Sequence, residues 1–185
     1  TGNELGPGKE LFIQHLVEEW RTRDRRHLYT ATSHPFKPAR NDDFYIGASA
    51  VGGPARGIDH PSPGSLTLDF ERTVGPVERP FIAHEIGQYT SFPDFYSWFD
   101  EKKYTGPLKA YYIDMIRKRF ERLHPAARGP EFAKASGALQ VLLYKTELEA
   151  MLRTPSMDGF HLNGLMDYPG EGIALIGMLD AMGDS

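Results

Sequence analysis

The sequence predicts an α/β fold built on parallel strands, and three observations predict it. Segments with a helical apolar repeat alternate with short β-prone runs, the pattern of βα units. One of those runs, Arg79 to His84, is apolar almost throughout, as suits a strand buried on both faces. Polar side chains gather just after the strand candidates: His34, Glu85, Gln88, Tyr89, Asn163 and Asp167. In βα barrels the carboxyl ends of the strands carry the site.

Each element has a local cause. Residues 8–23 follow a Gly-Pro-Gly turn, and Phe12, Ile13, Leu16, Val17 and Trp20 recur at helical spacing, with Glu10, Glu18 and Glu19 on other faces. Arg26 to Ser33 contains a β-prone run ended by His34-Pro35, because Pro35 cannot donate to a ladder and holds His34 extended. Phe44 to Ala50 is a second strand candidate. Val51 to Gly64 is a long Gly/Pro-rich loop, and such loops in compact domains are more often functional than idle. It follows a strand, so it is expected on the rim that carries the site. Leu68 to Val74 reads as a short helix and Arg79 to His84 as the third strand. Leu108, Tyr111, Tyr112, Met115, Ile116, Phe120 and Leu123 mark a helix that stops before Pro125. Pro130 and Glu131 open the next, carried by Phe132, Ala135, Leu139, Leu142, Leu143 and Leu148 and ended by Pro155. Gly159 to Met166 is the last strand, and Asp167-Tyr168-Pro169-Gly170 is a turn.

Composition narrows the function. A chain of 185 residues, 40% hydrophobic and 25% charged, fits one globular domain. No apolar run approaches the roughly 20 residues of a spanning helix, so no membrane partner is expected. A net charge of -4 gives no reason to expect nucleic acid, and Arg21, Arg23, Arg25 and Arg26 read as the solvated end of a helix. The absence of cysteine excludes disulfides, thiolate metal sites and a thiol nucleophile. Ser33-His34 lacks the glycines of a nucleophile elbow. Thr1 is not a natural start, and the chain is expected to be a piece of a longer protein.

Two acidic residues stand out. Glu4, in Thr-Gly-Asn-Glu-Leu, directly precedes the Gly-Pro-Gly turn. Glu85 ends the buried run, where a charge is costly unless the strand end opens into a polar site. Glycosidic cleavage needs two such carboxyl groups, one to protonate the leaving oxygen and one to attack or stabilise the anomeric carbon. Each has a plainer reading: Glu4 as a charge favouring the following helix N-terminus, Glu85 as a structural ion-pair partner. His34, His84 and His161 with Asp167 are also residue types of a metal site.

The motifs, taken in order, resemble family 2 of the clan A glycoside hydrolases. Asn3-Glu4 resembles the Asn-Glu ending barrel strand four, and Arg26 to Ser33 resembles strand five. His84-Glu85-Ile86-Gly87 looks like the Glu-x-Gly nucleophile segment ending strand seven. Gly159 to Leu162, through Asp167-Tyr168-Pro169-Gly170-Glu171-Gly172, resembles strand eight and its loop. The resemblance runs over nearly the whole chain and is closest to the β-galactosidase-like members.

It implies a partial TIM (β/α)8 barrel, from the end of strand four through strand eight, the C-terminal half of a catalytic domain. It implies retaining hydrolysis of a terminal β-linked sugar, with Glu4 as acid/base and Glu85 as nucleophile. Asn3 would bond the sugar 2-hydroxyl, with His34, Tyr89, His161, Asn163 and Asp167 as further substrate contacts. The chemistry requires no metal or organic cofactor. The partners implied are a carbohydrate substrate and the remaining barrel segment, or a second copy, packed on the open edges. A secreted or periplasmic location goes with the resemblance. There are departures. Phe160 to Met166 lacks the Trp that floors many family sites, leaving Phe160, Tyr168 or Tyr89 for that role. Asp167 to Leu175 holds no Lys or Arg, which weighs against a uronide substrate. The missing Trp also keeps a non-catalytic carbohydrate-binding barrel as an alternative, and a metal-dependent barrel hydrolase is a weaker one.

Overall fold

Every strand pairing is parallel among the residues the computed structural model describes: 2–3, 8–34, 39, 41–47, 65–95, 107, 111–167 and 175–184. The elements run β1 (Gly2–Asn3), α1 (Lys9–Arg23), β2 (Thr32–His34), β3 (Tyr45–Gly47), α2 (Glu71–Val74), β4 (Phe81–Ile86), α3 (Tyr111–Leu123), α4 (Gly129–Leu152) and β5 (Gly159–Leu162). That order follows the alternation of apolar repeats in the sequence. The chain divides into two units, one of Thr1–Ile86 with Thr146–Leu162 and one of Gly87–Lys145 with Asn163–Ser185.

The barrel expectation is corrected. These residues form a three-stranded sheet in the order β3-β4-β5 and a separate two-stranded pair, β1-β2. A barrel wall needs an unbroken ladder with a constant stagger. Among the described residues no ladder joins β2 to β3, and just before β2 side chains occupy the backbone amides. The amide of Ala31 donates to Asp42 Oδ1 at 2.8 Å, and that of Tyr29 donates to Asp43 Oδ2 at 2.8 Å. Two carboxylates thus take donors that a neighbouring strand would otherwise use. The strand expected over Arg26 to Ser33 shrinks accordingly to Thr32–His34. The fold is mixed α/β around a small parallel sheet.

Asp42 is buried, and its other oxygen accepts the Ala39 amide at 2.9 Å. It therefore holds together the small core of Val17, Ala31 and Ala39. Asp42→Ala would strand two buried donors and is expected to lower stability by about 3 kcal/mol in urea unfolding. Asp42→Asn, which keeps one acceptor oxygen, should lose less. Arg21 Nη2 lies 2.6 Å from Asp43 Oδ2, and Arg23 and Arg26 pair with Glu19 and Asp24, so three of the four clustered arginines meet a carboxylate.

The larger core of the first unit is Phe70, Val74, Phe81, Ala83, Ile86, Ala150 and Met151. It packs α2 and the end of α4 around β4. Asp158 sets β5 beside β4: its Oδ2 accepts the Phe81 amide at 2.9 Å, and its own amide donates to the Phe81 carbonyl at 2.9 Å. The core of the second unit is aromatic, with Phe95, Tyr112 and Phe120 buried and Phe92 and Phe132 against them.

Two helices face their surroundings differently from what periodicity suggests. On α1, Val17 is buried while Phe12, Leu16 and Trp20 are exposed. On α4, Leu139 and Leu142 are exposed, and the buried stripe is Gln140, Tyr144, Glu147 and Met151. Gln140 Nε2 donates to the Tyr89 carbonyl at 2.5 Å, and the Tyr144 hydroxyl donates to the Ile176 carbonyl. Loop carbonyls with no ladder partner must be satisfied when buried. That requirement turns a polar stripe inward at the expense of two leucines.

Candidate active site

The carboxyl end of β4 departs from ideal strand geometry. Ile82 pairs with Gly159 and Ala83 with Phe160, but the next pair is Ile86 with Leu162. Three steps along β4 match two along β5, so β4 carries one extra residue, a bulge. Within it Glu85 has φ 50, the only positive φ of a non-glycine residue among the described ones. Such a conformation costs an L-residue about 1–2 kcal/mol. Strain of this kind is retained mostly where a side chain must be aimed.

The bulge aims it. Successive strand residues normally project to opposite faces. Here His84 Nε2 lies 3.5 Å from Glu85 Oε1, an ion-pair distance between sequence neighbours. His84 is buried, whereas the Glu85 side chain is 25% exposed. His84 Nδ1 is 3.1 Å from His161 Nε2 on β5, and the two rings meet edge to face at a centroid distance of 4.9 Å. One partly exposed carboxylate and two hydrogen-bonded imidazoles thus occupy the carboxyl edge of the sheet, where parallel α/β folds bind ligands.

The motif glycine has its own reason. Gly87 has φ +78, and a Cβ there would fall 2.0 Å from Tyr144 Cε1. Only glycine tolerates both the backbone conformation and the ring.

The other expected site residues are placed as follows. Glu4 lies outside the described residues, as do Tyr168, Trp98 and the loop Val51 to Gly64. Asn3 and His34 are register partners at the ends of β1 and β2. Tyr89, in the second unit, sets its ring edge-on to Tyr144 at 5.9 Å. Asn163 is half-buried just after β5, and Phe160 is 39% exposed on it. The structure brings together Glu85, His84 and His161. From the sequence, His84 is a metal-ligand candidate or, more plainly, a sugar hydrogen-bonder or core histidine within the Glu85 motif; its signal is a polar residue in an apolar run beside Glu85. Among the described residues no three His, Cys, Asp or Glu side chains form a group able to hold a metal ion.

Asp167 belongs to the second unit. It lines a cavity of about 500 Å³ together with Phe92, Asp94, Gln140, Leu179 and Asp180. Its Oδ1 accepts the Gly177 amide at 2.7 Å, and Met166 beside it forms a parallel bridge with Leu179. Burial, and then the charge of Asp180, push its carboxyl up to about 6 against the pull of the Gly177 amide. An unfolded aspartate titrates near 3.9. With the folded value raised, the protonated form favours folding: that contribution is full below about pH 4 and is lost as the pH rises through about 6. Asp167→Asn keeps an acceptor for Gly177. It is expected to melt above the wild type at pH 7 and level with it below pH 4. A pH-independent difference would remove the carboxyl from this role.

Set against known proteins, the sequence matches no protein-family model and no curated protein.

Proposed function

We propose that the chain is part of a retaining glycosidase acting on terminal β-linked sugars in the manner of the β-galactosidases, with Glu85 as nucleophile. The observation that carries the proposal is Glu85 itself. It is a carboxylate held at positive φ on a bulge, partly exposed, at the carboxyl end of a strand otherwise buried. The order of motifs from Asn3-Glu4 to Gly170-Glu171 supplies the reaction class. Glu85 attacks the anomeric carbon while Glu4, as acid, protonates the departing oxygen. Glu4 then deprotonates water, which releases the sugar from Glu85. Retention leaves no room for a water between nucleophile and sugar, so the two carboxyl groups should stand about 5–5.5 Å apart in the complete site.

The test is covalent. A 2-deoxy-2-fluoro β-glycosyl fluoride slows the second step and should leave the sugar esterified to Glu85, read by peptide mass spectrometry. Glu4→Ala should still cleave glycosides whose leaving group needs no proton, and added azide should restore the second step. Labelling of another residue, or equal loss by Glu4→Ala on every leaving group, would refute these roles.

A further inference from the structure

We infer that His161 donates a hydrogen bond to His84 and that His84 turns its own N–H toward the Glu85 carboxylate, so that His161 is a positioning residue acting through His84 rather than a sugar contact. The inference rests on Glu85 being the nucleophile, since a carboxylate nucleophile is ionised and can only accept hydrogen bonds. Across 3.5 Å the contact is electrostatic rather than a hydrogen bond, and a negative oxygen there favours an N–H over a bare lone pair, which places a His84 proton on Nε2. A neutral imidazole with its proton on Nε2 has a lone pair on Nδ1. With His84 neutral, the 3.1 Å contact between His84 Nδ1 and His161 Nε2 runs from His161 to His84. The reverse direction would set a bare His84 lone pair against the carboxylate. Every donor in the chain points toward Glu85.

The geometry is specific to this purpose. His84 and Glu85 can meet because the bulge and the φ of 50 at Glu85 bring adjacent side chains to the same side. The bond to His161 fixes the ring of His84, which is 4% exposed and held edge to face against its partner. With its Nε2 engaged, His161 has only its Nδ1 edge left for another partner. The chain orients the Oε1 edge of Glu85. Side chains that hold a reacting group are as necessary to its placement as the group itself.

The experiment uses the intact protein labelled with 15N-histidine. Two-bond NMR correlations, recorded at a pH where both rings are neutral, should place both protons on Nε2. A proton on Nδ1 of either ring would overturn the chain. His161→Phe should lower kcat by about 10²-fold with KM unchanged, the signature of a misplaced reacting group. His161→Gln, whose amide N–H can still donate to His84 Nδ1, should recover most of that loss. A rise in KM at constant kcat would instead make His161 a sugar contact and overturn the inference. The wild-type tautomers need no variant, so a misfolded His161→Phe leaves the test standing. Correct tautomers without fluorosugar labelling of Glu85 would break the glycosidase reading alone. Labelling with the wrong tautomers would break the chain alone.

Discussion

Glu85→Gln is expected to abolish turnover of aryl β-glycosides, with kcat falling by about 10⁴-fold or more. The amide matches the carboxylate in shape but cannot form the glycosyl ester, and it carries no charge to stabilise the oxocarbenium-like transition state. The loss should extend to good as well as poor leaving groups, because attack by Glu85 and departure of the leaving group are one step and an activated leaving group does not replace the nucleophile. Two companion variants separate the chemistry from the strain. Glu85→Ala and Glu85→Gly both remove the carboxylate, but only glycine accepts φ 50 without strain. The glycine variant should therefore exceed the alanine variant in stability by about 1 kcal/mol in urea unfolding. Substantial activity in Glu85→Gln would end the nucleophile assignment. Equal stability of the glycine and alanine variants would show that the bulge stores no strain at this residue.

Gly87→Ala should destabilise the second unit by about 3 kcal/mol or more. The new Cβ would sit 2.0 Å from Tyr144 Cε1, in a backbone conformation with φ +78. The ring cannot swing aside freely, because its hydroxyl is bonded to the Ile176 carbonyl and its face meets Tyr89. Overpacking and positive φ thus act together. Shortening the ring in Gly87→Ala/Tyr144→Ala removes the clash but not the strained φ, so the double variant should show strong non-additivity. A midpoint shift worth less than about 1 kcal/mol in Gly87→Ala would mean that the loop gives way and the glycine is dispensable.

The order of elements was legible from one dimension because its causes are local. Apolar spacing marks α1, α3 and α4, and the nearly continuous apolar run Arg79 to His84 suits the buried strand found at Phe81–Ile86. Glu85 was legible for the same reason, as a charge closing an apolar run. Tertiary structure decided what depends on partners far along the chain. The inward stripe of α4 goes to Gln140 and Tyr144 instead of Leu139 and Leu142 because loop carbonyls of Tyr89 and Ile176 need donors. In the run before His34, Asp42 and Asp43 take the amides of Ala31 and Tyr29, and only Thr32–His34 is strand. The site is divided in the same way. Residue type alone marked Glu85, His161 and Asp167 as candidates. Only the β4–β5 register, with its one-residue bulge, joins Glu85 through His84 to His161. A bulge reflects how two strands distant in sequence pair, and no property of either strand alone encodes it.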